Sequence, residues 1–190
     1  MKKINIEKHL TIEKHLTIES IRAYLRIKLD GTFGQDGRLP ATFICFGREK
    51  LTSVIAPLLS DDATKDKFVE DFRLLCTAED ALAAVSLMEV WMSPPDAQHL
   101  RPSEHPDRRE FVIVSLELPG NRGEVSLYPI IREGDAKPRL GQPQIFPEQS
   151  QGRLSQFLPA KPPTEGERII AAAGLQRNGR LMQANPFQRN

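Results

Sequence analysis

The sequence predicts an α+β domain, and three observations carry that expectation. Residues 18–29 repeat apolar side chains at helical spacing, residues 81–92 and 111–131 hold β-prone apolar runs, and a Pro-Gly-Asn turn separates the last two of these. The expected architecture is a single domain: an antiparallel or mixed sheet of about four strands, two to three packing helices, and an extended proline-rich C-terminal segment.

The first helix follows from Ile18, Ile21, Leu25 and Leu29, which fall on one stripe, with Arg22, Arg26 and Lys28 elsewhere on the cylinder. It is expected to stop at Asp30-Gly31, with Gly31, Gly34, Gly37 and Pro40 forming a surface loop. Thr42-Phe43-Ile44-Cys45-Phe46, bounded by Pro40 and Gly47, reads as a strand, and residues 51–58 as a short helix despite Pro57. A second helix is expected over residues 63–75, capped by Asp61 or Asp62, with Phe68, Phe72, Leu75 and Cys76 on its inner side. A long strand at residues 81–92 follows. Residues 111–118 and 125–131 then form an antiparallel hairpin through Pro119-Gly120-Asn121-Arg122-Gly123. A first strand parallel to the long one would require a right-handed crossover.

Thirteen of the fifteen prolines lie at or beyond Pro94, so residues 134–163 are expected to be extended, with Leu154, Phe157 and Leu158 lying back across the core as a strap. A short helix is expected at 165–173, followed by a basic tail: residues 168–190 carry four Arg and no acid. At the other end, Ile6-Glu7-Lys8-His9-Leu10-Thr11 is repeated at once as Ile12-Glu13-Lys14-His15-Leu16-Thr17, a slip duplication in a tolerant arm. The organisation is therefore an arm at 1–16, a domain at 17–133, and a strap with tail at 134–190.

Composition narrows the function classes. A net charge of +1 excludes a surface built throughout to hold nucleic acid, and a mean hydropathy of −0.38 with no long apolar run predicts no membrane span. Cys45 and Cys76 lie in apolar surroundings and are too few for a disulfide framework or a zinc cage, which suits a reducing cytoplasm. The N-terminus lacks the continuous apolar stretch of a secretory signal.

Chemistry, if the chain has any, belongs in the segment from Glu89 to Glu110. Glu89, Glu104, His105 and Asp107 are the candidates for proton transfer in an Asp/Glu/His-dependent enzyme. The structural reading makes Glu89 and Arg108 an ion pair that orients the loop. Metal binding is not expected: His99 and His105 lack ligand spacing, and His9 and His15 stand about 120° apart on a helix. His105-Pro106-Asp107 is the tripeptide of J-domain cochaperones, but the prolines before it and the strand pattern after it exclude a helical hairpin. No nucleophile elbow, phosphate loop or dinucleotide fingerprint occurs, and no cofactor is expected.

In order, the helix ending at Asp30-Gly31, the strand after Leu39-Pro40, the Phe-rich helix, Glu89-Val90-Trp91, the Pro-Ser-Glu-His-Pro-Asp-Arg-Arg-Glu segment, the hairpin, Gly152-Arg153-Leu154 and Leu158-Pro159 resemble a bacterial family of uncharacterised proteins. The resemblance covers roughly residues 17–159 and is most specific at 103–110. It implies a small bacterial or mobile-element protein and supplies no catalytic residue.

The leading functional expectation is a non-catalytic binding or accessory protein that engages a protein partner, since catalytic signatures are missing and a proline-rich arm and tail can order on contact. The enzyme centred on Glu89 is one alternative. A nucleic-acid accessory protein using Arg177, Arg180 and Arg189 of the tail is the other. Oligomeric state is not legible.

Overall fold

A computed structural model describes residues 16–94, 104–120, 122–134, 136–147 and 152–178. The chain order is α1 (Ile18–Asp36), β1 (Thr42–Phe46), β2 (Leu51–Ile55), α2 (Asp62–Ala78), β3 (Ala83–Met92), β4 (Arg109–Leu118), β5 (Arg122–Ile131), β6 (Arg139–Leu140), β7 (Gln144–Phe146) and α3 (Glu165–Arg177). The fold is α+β, as expected. Its sheet has seven strands rather than about four, in the order β2-β1-β3-β4-β5-β6, with β7 also on β5. Every pairing is antiparallel, β1 with β3 included, so no parallel crossover arises.

The extra strands have separate causes. Residues 51–55 pair with β1 instead of coiling, because Thr52, Val54 and Ile55 are β-branched and find an open sheet edge next to them. Strands β6 and β7 are two and three residues long, too short to show a period, and both dock on the outer edge of β5.

Helix α1 runs past Gly31 to Asp36, which corrects the loop expected there. Its buried stripe Ile21, Leu25, Leu29 continues one further turn to Phe33. Burying that ring is worth about 1.5–3 kcal/mol, more than the roughly 1 kcal/mol that an interior glycine costs. Thr17 and Ser20 cap the start reciprocally. Gly37 ends the helix at φ 63°, and its N–H donates to the Phe33 carbonyl at 2.8 Å.

Both sheet faces are apolar, and each has its own cover. On one face α1 packs Ile21, Leu25, Leu29 and Phe33 against Ile44, Phe46, Val85, Leu87, Val112 and Leu116. On the other, Phe68, Phe72 and Cys76 of α2 meet Phe43, Cys45 and Ala84, and Phe157 closes the group. The Phe157 ring stands edge-on to Phe72 at 4.9 Å and to Phe43 at 5.6 Å, so the strap packs on the core as anticipated. Helix α3 packs on α2, and Asn178 Nδ2 donates to the buried Asp71 carboxylate at 2.7 Å. Cys45 and Cys76 are both free and buried. The hydrogen bond with Cys45, and then burial, hold the Cys76 thiol well above its ordinary value. Among the described residues no helix is long and apolar enough to cross a membrane.

Glu117 holds the strap in place. It is buried on β4, and its two carboxylate oxygens accept the Gln156 and Phe157 N–H groups at 2.7 Å each, while Arg73 donates to the Gln156 and Ser155 carbonyls. Burial raises the Glu117 carboxyl above its ordinary value of 4.5, against the lowering effect of the strap N–H bonds. The folded chain therefore binds this proton more tightly than the unfolded chain does. The resulting stabilisation is fully present below 4.5 and is lost as pH rises through the raised folded value. Denaturant titrations from neutral pH down to that ordinary value are expected to show the wild type gaining stability relative to Glu117→Gln. A difference that stays flat, or that grows in the variant's favour, would contradict the burial argument.

Candidate functional site

Strands β3 and β4 are both ten residues long, and their buried parts lie toward one end. Ala83 to Leu87 are fully covered, whereas from Met88 onward β3 emerges from beneath the helices. At this emergent end Trp91 lies opposite Glu110, Met92 opposite Arg109, and Phe111 opposite Pro129 of β5. Period-2 alternation sets Trp91 on the same face as Leu87 and Glu89, but beyond the reach of the α1 core.

An open cleft of about 580 Å³ lies here. Its lining includes Trp91, Arg108, Arg109, Glu110, Ile130 and Arg132. Trp91 is 42% exposed, and the Arg108 guanidinium carbon stands 4.8 Å from the ring centroid, within cation–π range. Arg132 donates to Glu110 Oε2 at 2.7 Å. Among the described lining residues, three arginines stand against one carboxylate, an excess of positive charge. Its volume falls in the range of roughly 300–1,000 Å³ that binding clefts occupy.

The approach to β4 is a tight turn. Asp107 N–H donates to His105 Nδ1 at 3.1 Å, and Arg108 N–H donates to the His105 carbonyl at 3.2 Å. The His-Pro-Asp tripeptide is thus turn chemistry leading directly into a strand. This turn also aims Arg108 at Trp91.

The four candidates for proton transfer are not drawn into the cleft. Glu89 is exposed on β3, and its Oε1 accepts the Leu39 N–H at 2.6 Å. Glu104, His105 and Asp107 belong to the turn and its approach, and the cleft is lined by none of the four. Glu89 and Arg108 are each engaged elsewhere, one with the Leu39 backbone and the other with the Trp91 ring and the His105 carbonyl. Among the described residues no group of three or more His, Cys, Asp or Glu side chains could hold a metal ion. Arg177 is the exposed last residue of α3, while Arg180, Arg189 and the duplicated arm through His15 lie outside the described residues.

Trp91, Arg109 and Arg132 carry the cleft without having been singled out in the sequence. The available signal was the chain's one tryptophan at the end of a strand, followed by an Arg-Arg pair at the start of the next. Arg132 could be placed only through the β4–β5 register. No protein family matches the chain, no curated protein matches it, and no solved structure matches it.

The separate engagements of Glu89 and Arg108 generate a quantitative expectation. Glu89→Ala is expected to cost about 1 kcal/mol through the lost Leu39 bond. Combined with Arg108→Ala in a double-mutant cycle followed by denaturation, the two losses are expected to add within about 0.5 kcal/mol. A larger coupling energy would mean that the two side chains form an ion pair after all.

Proposed function

We propose that this protein is a non-catalytic binding protein that engages a protein partner, and that the partner seats on the cleft around Trp91. The observation that carries the reading is a half-exposed tryptophan with an arginine stacked on its face inside an open cleft. Tryptophan and arginine contribute disproportionately to binding energy at protein interfaces, because each combines a large contact area with directed polar groups. Met92, next to Trp91 on β3, is also exposed and adds apolar contact surface at this end of the sheet. An enzyme built on Glu89, Glu104, His105 and Asp107 is less well supported, since a reaction centre needs its acid and base to share a pocket. The two free buried thiols support a reducing cytoplasm as the compartment.

Affinity purification of the full chain beside the Trp91→Ala/Arg108→Ala double variant tests this reading. A single protein is expected to be retained near stoichiometrically by the wild type and by an Ile169→Ala control, whose changed side chain is exposed on α3, and to be lost from the double variant. Retention that ignores the cleft substitutions would overturn the proposal. Nuclease-sensitive absorbance in place of protein would favour the alternative in which the Arg-rich tail binds nucleic acid.

A further inference from the structure

The cleft's charge and its apolar surfaces together specify the chemistry of what it takes. Arg132 is partly neutralised by Glu110, and the Arg108 guanidinium lies over the Trp91 ring. Its contact with the His105 carbonyl is a long 3.5 Å. Arg109 lies one residue on, across from Met92, and lines the same cleft. Arg108 thus stands on the exposed indole, and Arg109 lines the cleft from the neighbouring position, on the sheet face that Met92 occupies.

We infer that the occupant is an acidic peptide segment of the partner, bearing an aromatic or branched aliphatic side chain between carboxylates. The inference rests on the protein-binding reading above and adds the chemical class of the ligand. The apolar side chain stacks against Trp91 and Ile130, and the flanking carboxylates meet Arg108 and Arg109. Guanidinium is suited to this because its planar fork accepts a carboxylate edge-on while its face remains stacked on an indole. Charge complementarity selects against basic segments, since a lysine in the same position would meet like charge. At the far rim, β7 contributes Gln144 to the cleft wall.

The experiment is selection of short random peptides displayed on phage against the full-length wild-type protein, with counter-selection on Arg108→Glu/Arg109→Glu. Selected sequences are expected to be rich in Asp and Glu around an aromatic or aliphatic residue. A synthetic copy of the consensus should shift or quench the emission of Trp91, the chain's one tryptophan. Its affinity should fall by about tenfold or more in the charge-reversed variant, the ratio that corresponds to 1.4 kcal/mol. The Arg108→Lys/Arg109→Lys variant should recover part of the loss, separating charge from misfolding. Neutral or basic consensus sequences, an absence of enrichment, or equal affinity for the charge-reversed variant would each overturn the inference. If the partner is still captured through Trp91 and Arg108 while acidic peptides fail, only the ligand class is wrong. Loss of cleft-dependent capture would remove both readings together.

Discussion

A sheet that is apolar on both faces must be covered twice, and this requirement governs how the chain is arranged. The α1 stripe from Ile21 to Phe33 seals one face, and α2 with the Phe157 strap seals the other. The covers come from sequence far apart: α1 precedes every strand, whereas Phe157 follows them all. Glu117 links the two ends of this arrangement, because a carboxylate rooted on a central strand holds the returning strap by two backbone N–H groups. A buried acceptor of this kind is costly to leave unpartnered, which makes the strap part of the core.

The same covering explains where binding chemistry can sit. Strands β3 and β4 extend past the helices, so their far ends bring large side chains into contact with solvent. Trp91 and Met92 are exposed there for that reason, while Val85 and Leu87 on the same strand are fully buried. The guanidinium groups then stand beside apolar surface at the boundary of low and high dielectric. Attraction for an arriving anion is stronger there than on an open surface and is less screened by salt.

Much of the fold was legible because most of its elements are long enough to show a period. The α1 stripe, the Phe-rich α2 and the β4–β5 hairpin all follow from spacing and turn residues. Misreadings arose where local preference and tertiary packing disagreed. Gly31 argued for a helix end, but Phe33 had a buried place to fill one turn later; Pro57 obscured a strand whose β-branched residues end just before it. Strands β6 and β7 depend wholly on the edge they dock against. In the candidate site, the sequence draws attention to the Pro-Asp-Arg-Arg-Glu region through its acidic and imidazole side chains, whereas the cleft is lined by its arginines and Glu110. Glu89 accepts the Leu39 N–H, fifty residues away in sequence. What makes a cleft is the cross-strand register that brings Arg132 and Trp91 to the residues around Glu110, and no linear spacing encodes that.

The central claim is that the chain's one tryptophan stands in a cationic cleft, and collisional quenching tests it directly. With each ion's efficiency taken relative to its quenching of free N-acetyltryptophanamide, the account predicts that at low ionic strength iodide quenches Trp91 emission severalfold more efficiently than caesium. Inert salt should narrow the gap as the guanidinium field is screened. Equal quenching by the two ions, or stronger quenching by caesium, would contradict the geometry on which the binding reading stands.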